Sequence, residues 1–318
     1  MDHLVLDFGI PKECKAGLVS EGPGFEPKVE IAPVPETGRS GATVVEINAA
    51  GICSSDTHYM LNDPGSPKYP SFNVGPPGHE DARTPIKLGD NGDKECFCSD
   101  SLFTHLSQRD WRLIFTGTYQ QYIVSPAKHA FPIPKWVSDY VADPIICSAS
   151  TIYHSLVESD LKAGSWRVCL SDDGGVGIQG VQLGKALGLR LAAVDASAAK
   201  QVPDATVEVI KIADGKGAHG VFVTAPATYS NVIGYTSTTV GTAIVCIGLP
   251  SVRTMTVDAD LRFFYFRNLT DTKFALDFTK RGVLRQISEV YPINKTLEAV
   301  ERLKNGEVAG KCVVNLHL

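Results

Sequence analysis

An α/β fold in two domains is predicted by three observations: a Pro- and Gly-rich first half with short β-type runs, a second half in which apolar strands alternate with helical stretches, and a glycine turn opening the first of those helices. The chain has 318 residues, 43% hydrophobic and 20% charged, enough for two ordinary cores. Residues 12 to about 155 contain runs such as Thr43-Val44-Val45-Glu46-Ile47 and Tyr119-Gln120-Gln121-Tyr122-Ile123-Val124, whose β-branched and aromatic content suits strands of an irregular, mostly β domain. From about Leu161 the runs Arg167-Val168-Cys169-Leu170, Leu191-Ala192-Ala193-Val194, Val221-Phe222-Val223-Thr224 and Ala243-Ile244-Val245-Cys246-Ile247 are separated by helical stretches. Alternation of this kind predicts a doubly wound parallel sheet with helices on both faces. The stretch from Leu297 to Leu318 reads as a helix ending near Gly306 and a final strand, Cys312-Val313-Val314-Asn315-Leu316. Domain limits are drawn at residues 1–157, 158–284 and 285–318.

The net charge of -5 argues against a nucleic-acid or anionic-membrane surface, because either partner demands a clustered excess of Lys and Arg. A small molecule is the easier partner. The opening Met1-Asp2-His3-Leu4-Val5-Leu6-Asp7 has no basic segment leading into a long apolar run, and no later stretch has the length of a membrane span. A cytoplasmic protein is expected. Eight cysteines are scattered along the chain, far too sparsely for a disulfide-stapled domain. Reduced thiols, some of them bound to metal, fit better.

After the strand ending at Leu170 comes Ser171-Asp172-Asp173-Gly174-Gly175-Val176-Gly177, then a helix in which Val176, Gly180, Leu183 and Leu187 recur at helical spacing. A dinucleotide fingerprint needs one glycine for the tight turn, one to let backbone approach the pyrophosphate and one for close helix–strand packing. The second and third are present as Gly174 and Gly177, with Gly175 between them, while Asp172 replaces the first and Asp173 follows it. Two carboxylates there oppose the field that draws a pyrophosphate to a helix N-terminus. Asp195, closing the next strand, stands near the place of an acid that accepts hydrogen bonds from the adenosine ribose and disfavours a 2′-phosphate. A Rossmann-type domain with weakened binding of NAD(H), rather than NADP(H), is the expectation.

The first domain holds Gly51-Ile52-Cys53-Ser54-Ser55-Asp56-Thr57-His58, then Gly78-His79-Glu80, then Asp143-Pro144-Ile145-Ile146-Cys147. Taken singly, each Cys or His is more simply a buried thiol or a hydrogen-bonded imidazole. Together, two thiolates and one imidazole make a three-ligand set for a catalytic zinc, with the fourth tetrahedral position left for water or a substrate oxygen.

These segments, together with Ile10-Pro11-Lys12, Tyr119-Gln120-Gln121-Tyr122, Gly175-Val176-Gly177-Ile178-Gln179, Gly217-Ala218-His219-Gly220-Val221, Phe266-Arg267-Asn268-Leu269-Thr270 and Ala275-Leu276-Asp277-Phe278, give the chain its resemblance. It resembles the zinc-containing medium-chain alcohol dehydrogenases of the yeast and fungal type along nearly its whole length. The resemblance implies a GroES-like catalytic domain to which residues 285–318 return, and a Rossmann-type cofactor domain. It puts Cys53, His79 and Cys147 on the catalytic zinc ligands, Glu80 on the acid behind the metal, and Asp56 on the carboxylate that orients the histidine. Ser55 and His58 fall on the proton relay. The implied reaction is oxidoreduction of a small alcohol or carbonyl compound, with zinc as Lewis acid and a hydride exchanged with NAD(H).

The chain also departs from that family. Where the family has four closely spaced cysteines for a structural zinc, only Cys96 and Cys98 occur, too few to close a tetrahedral site, so one catalytic zinc and no structural zinc is expected. Directly after Glu80, Asp81-Ala82-Arg83-Thr84-Pro85 passes quickly to Lys87-Leu88-Gly89-Asp90, several residues short of the family's strand and turn. After Asn268-Leu269 a strand is missing and Thr270-Asp271-Thr272 leads straight into a helix over Phe274 to Phe278. In the family that strand lines the nicotinamide side and supports subunit pairing, which leaves a homo-oligomer open. Two readings stand against redox catalysis: a non-redox isomerisation, elimination or cyclisation on the same scaffold, and ligand binding alone. His105, His129, His154, His219 and His317 are read as structural or surface residues.

Overall fold

The structure, a computed structural model, describes residues 9–18, 28–36, 42–60, 78–88, 117–126, 132–170, 174–195, 205–225, 228–229, 232–237, 241–248, 260–263 and 269–318. It divides into two compact units, residues 1–147 with 288–318, and residues 148–287.

In the first unit β1 (Glu13–Leu18) and β2 (Lys28–Pro33) form an antiparallel pair. The larger sheet runs β11 (Ser288–Pro292), β12 (Lys311–Asn315), β3 (Ala42–Ile52), β4 (Asp81–Leu88), and β5 (Tyr122–Pro126) also pairs with β3. β3 is central and buried along most of its length, which suits its run of Ala, Val and Ile. Its Ile47 and Ile52 share a core with Tyr119, Ile123, Val300 and Val314, where each fully buried aliphatic side chain contributes about 1.5–3 kcal/mol. The strand after Glu80 is present: β4 spans eight residues and is joined to β3 through two register shifts. The run from Tyr119 to Val124 becomes ladder only from Tyr122, because Gln120 bridges to Ala16 and the Gln121 N–H donates to the Lys15 carbonyl.

Register gathers one corner of this sheet. Ala50 lies opposite Asp81, and Ile52 opposite Cys312, so the end of β3, the start of β4 and the start of β12 converge. The short helix α1 (Ser54–Met60) follows β3 directly. A second helix, α2 (Asp139–Pro144), runs into a single π-helical turn, Ile145–Ala149. Pro144 has no N–H for the α-helical ladder, and the wider turn after it carries Cys147.

In the second unit five parallel strands take the order β10 (Asp260–Phe263), β9 (Ala243–Cys246), β8 (Gly220–Val223), β6 (Trp166–Leu170), β7 (Arg190–Val194). Numbered along the chain within this sheet, that is 5-4-3-1-2, with the direction of winding reversing between β6 and β8. Ligands of open α/β sheets bind at the carboxyl ends of the strands at such a switch point. The helices are α3 (Ser150–Glu158), α4 (Gly175–Ala186), α5 (Ala205–Ile212), α6 (Val232–Tyr235) and α7 (Leu269–Lys280). α3 packs on α4 and α7 and so belongs to this unit; the sequence boundary at residue 157 marks a change of texture rather than of contacts. The helix read over Phe274 to Phe278 begins at Leu269, and residues 264–268 lie outside the described residues. The last helix, α8 (Thr296–Lys304), belongs to the first unit.

One strand residue departs from its apolar surroundings. Arg167 is fully buried, its guanidinium 4.1 Å from the centre of the Phe222 ring and donating to the Gly180 carbonyl. A Cβ at Gly180 or Gly184 would come within 2.7 or 2.8 Å of that guanidinium, so the glycine-lined face of α4 is space for an arginine. Among the described residues no helix is long and apolar enough to cross a membrane.

Candidate functional site

β3 ends at Ile52 and hands the chain to Cys53, while Gly78 turns it into His79 and β4. Gly78 has φ +107° and its missing Cβ would sit 2.3 Å from the Thr118 hydroxyl, so only glycine fits that turn. The π turn supplies Cys147. As a result the donor atoms of Cys53, His79 and Cys147 all lie within 4.8 Å of one another, and they are the one such group of metal-binding side chains among the described residues. His79 Nε2 is 3.3 Å from Cys147 Sγ. With zinc bonds of about 2.3 Å to sulfur and 2.0 Å to nitrogen, tetrahedral ligands are separated by about 3.5–3.8 Å. The donor set fits zinc in both chemistry and spacing.

The imidazole is aimed by Asp56. Its Oδ1 lies 2.7 Å from His79 Nδ1, which leaves Nε2 facing the two sulfurs. Asp56 is 2% exposed, and its Oδ2 also accepts the Cys53 N–H at 3.2 Å. One carboxylate therefore fixes two ligands. Tyr119, buried beside it, has its hydroxyl 3.1 Å from both Asp56 Oδ2 and the Gly51 carbonyl. Burial, then the Asp56 carboxylate, pushes the Tyr119 phenol well above its usual range, so it stays a donor.

Behind the ligands Glu80 is fully buried and ion-paired through Oε1 with Lys311, at the start of β12. Burial raises the Glu80 carboxyl and the Lys311 cation opposes that rise. Burial opposes the charge on Lys311, yet Glu80 and the two thiols hold its pKa well above the ordinary value. The Cys53 thiol is lowered well below its ordinary value, chiefly by its hydrogen bond with Cys147, with burial opposing and Lys311 helping. For His79 burial works against protonation, but the charge and hydrogen bond of Asp56 outweigh it and carry the imidazole up to about 10. A metal ion binding at the two sulfurs and Nε2 would therefore have to displace the proton that Asp56 favours on His79.

Asp143, on α2, is fully buried and accepts the Gly51 N–H through Oδ1 at 3.0 Å. Burial, with Glu80 close by, raises its carboxyl well above the usual range. A Cβ at Gly51 would meet Glu80 Oε1 at 2.5 Å and Asp143 Oδ2 at 2.8 Å, so only glycine lets these two acids approach β3.

Of the residues singled out from sequence, Cys53, His79, Cys147, Asp56 and Glu80 come together. Ser55 is exposed on α1, its Oγ 3.8 Å from Cys53 Sγ. Position 58 is on the same short helix, and the His58 side chain lies outside the described residues. In the second unit Gly174 stands at the N-cap of α4 with no side-chain cap, followed by Gly175 and the buried Gly177, at the carboxyl end of β6. Uncapped first-turn N–H groups at the switch point suit an anionic group. Asp195 follows β7 and is half-buried. Asp172, Asp173, Cys96, Cys98, His105 and His129 lie outside the described residues. His154 pairs with Asp271 at 3.2 Å, His219 accepts the Trp166 N–H at 3.0 Å, and His317 Nε2 lies 3.0 Å from the Ile47 carbonyl. Lys311, Tyr119 and Asp143 were missed as site residues; for Lys311 and Asp143 the one sequence signal was a charged residue beside a buried apolar run.

Residues 39–135 match the alcohol dehydrogenase GroES-like domain. Alcohol dehydrogenase 1 of Emericella nidulans is 30% identical over 332 residues, covering 89% of this chain and 93% of the relative. An alcohol dehydrogenase of Schizosaccharomyces pombe is 26% identical over 352 residues, covering 96% and 98%. Among solved structures, acetophenone reductase from Geotrichum candidum in complex with NAD has the same fold, with a TM-score of 0.78 at 18% identity over 96% of this chain and 98% of that one. The mixed β unit, the parallel sheet, the Cys-His-Cys group and these relatives lead to one conclusion: the chain belongs to the zinc-containing medium-chain alcohol dehydrogenase family and is an enzyme of that type.

Proposed function

We infer that the protein interconverts a small alcohol and its carbonyl compound with NAD(H), at a single catalytic zinc. The observation that carries this reading is the meeting of Cys53, His79 and Cys147 with the second nitrogen of His79 already tied to Asp56. Bound at those residues, zinc supplies a Lewis acid with one open position, and NAD(H) supplies the hydride acceptor or donor. Asp56 keeps His79 in the tautomer whose Nε2 is free, while Lys311 and Glu80 hold the thiolates in a buried, partly neutralised setting. With NAD⁺ bound as hydride acceptor, oxidation would convert the alcohol to its carbonyl compound, and Ser55 and then His58 would carry the hydroxyl proton to solvent. Reduction runs the same steps backwards. In the second unit the turn of Gly174, Gly175 and Gly177, at an uncapped helix start, would hold the pyrophosphate and Asp195 the ribose hydroxyls. A cytoplasmic setting suits the two ligand thiols, which must stay reduced.

The pair Asp172-Asp173 favours a second reading, in which NAD use is lost and the zinc or a buried acid serves a non-redox step. Metal analysis followed by a screen of alcohols and aldehydes, scored by NADH absorbance, separates the two. Zinc with substrate-dependent change in NADH supports the first reading. Zinc with turnover that consumes no NAD(H) contradicts it.

A further inference from the structure

We propose that Asp143 is a positioning residue for the metal centre, a strut that sets the separation of the two thiolates by joining the segment of Cys53 to the segment of Cys147. The inference rests on the reading that Cys53, His79 and Cys147 hold the metal.

Each end of the strut is fixed by an observation. Asp143 is fully buried and stands at the end of α2, directly before the π turn that carries Cys147. A continuous helical run therefore transmits its position to that sulfur. Its Oδ1 accepts the Gly51 N–H at 3.0 Å, across the unit, and Gly51 precedes Cys53 by two residues at the end of β3. The carbonyl of the same Gly51 is 3.1 Å from the Tyr119 hydroxyl, which is 3.1 Å from Asp56 Oδ2, and Asp56 accepts the Cys53 N–H. The approach to Cys53 is thus gripped on both sides, from α2 through Asp143 and from the Asp56 group through Tyr119. No side chain larger than hydrogen fits at Gly51, so the contact cannot be relaxed by a change at its other end.

The physical need for a strut follows from the placement of the donors. Cys53 and Cys147 come from segments far apart in the sequence, so their separation depends on contacts between those segments. A tie made before the metal arrives lowers the reorganisation required on binding and favours tetrahedral spacing. Asp56 serves this purpose for His79 and Cys53, while Asn48 on β3 donates to Asp139 at 2.8 Å and so ties the far end of α2. Asp143 ties the end of α2 nearest Cys147 to the end of β3 nearest Cys53, and its hydrogen bond needs an acceptor oxygen rather than a charge.

The test measures zinc affinity by competition with a chromophoric chelator, and the absorption spectrum of the cobalt(II)-substituted protein, for the full chain and its Asp143→Ala, Asp143→Leu and Asp143→Asn variants. Asp143→Leu fills the same space without an acceptor, should Asp143→Ala fail to fold. Leu183→Ala, in the core of the second unit, controls for loss of stability. The expected result is a zinc affinity lower by about 10–100-fold in the Ala and Leu variants, with altered cobalt bands. The Asn variant, whose amide oxygen still accepts the Gly51 N–H, stays close to the parent in both readouts. Parent-like zinc binding and cobalt bands in the Ala or Leu variant overturn the strut alone. So does an Asn variant as impaired as these, or an equal loss in Leu183→Ala. A parent protein that binds no zinc overturns the metal reading and the strut with it.

Discussion

The two units present two kinds of site. In the first, every functional group is a side chain, and the side chains hold one another: Asp56 ties His79 and Cys53, Tyr119 reaches Asp56, Lys311 pairs with Glu80, and Asp143 takes the Gly51 N–H. In the second, the glycine turn proposed for the nucleotide offers backbone N–H groups at an uncapped helix start. A site of interlocked buried side chains tolerates little change, because removing one member strands its partners in a low dielectric. A backbone-built site keeps its donors whatever the side chains become, and loses only field strength when carboxylates such as Asp172 and Asp173 appear beside it. The contrast predicts that substitutions at the metal corner cost more than substitutions at the glycine turn.

The sharpest way to break the comparison is at the ligands. His79→Ala or Cys147→Ala should reduce zinc from about one per chain to none by metal analysis, and abolish alcohol-dependent NADH formation. Zinc retained at the parent level would place the metal elsewhere. A smaller but still large effect is expected at Lys311→Met, which leaves Glu80 buried without its cation. Urea unfolding should show a loss of about 3–5 kcal/mol, and a loss near zero would mean that Glu80 is not charged in the folded state.

The cofactor turn should respond in the opposite direction and more gently. Replacing Asp172 and Asp173 by Gly removes two carboxylates from a helix N-terminus, each worth up to about 1 kcal/mol there, so NADH affinity should rise roughly fivefold per substitution at low salt. The gain should shrink as ionic strength increases. An unchanged affinity would mean that neither side chain faces the bound nucleotide.

The smallest effect lies far from either site. Hydrogen bonds from Tyr291, then Arg302, lower the pKa of Glu289, so its folded-state value is below the unfolded value of about 4.3. The sign follows: the stabilisation is present above that unfolded pKa and is lost as pH falls through the folded one. Both partners are more than a third exposed, and the contribution is below about 1 kcal/mol. Glu289→Gln should lower thermal stability slightly at neutral pH and not at strongly acidic pH; an equal loss at both would contradict the ion-pair account.

Much of this architecture was legible in the sequence because it is local. The four apolar runs of the second unit became β6, β7, β8 and β9, since period and β-branched content act within a few residues. Cys53, His79 and Cys147 were legible as a set because each sits in a short recognisable segment. The partners that arrive through pairing distant in sequence were not. Lys311 reaches Glu80 because β12 lies against β3, and Asp143 reaches Gly51 because α2 crosses the same corner. Arg167 was read as part of an apolar strand, and Gly180 as part of a helical stripe, although the glycine exists to admit the arginine. A charged residue within a buried run is the trace such partners leave, and its meaning depends on contacts that no short window contains.

If the metal site and the glycine turn serve one redox reaction, as proposed, the protein binds both zinc and NADH. Calorimetric titration of the purified, metal-analysed protein with NADH and with NADPH tests it most directly. The account predicts about one zinc per chain, saturable NADH binding and weaker binding of NADPH. Zinc at that level with no detectable binding of either nucleotide would contradict it, and would assign the metal corner to chemistry without a nicotinamide.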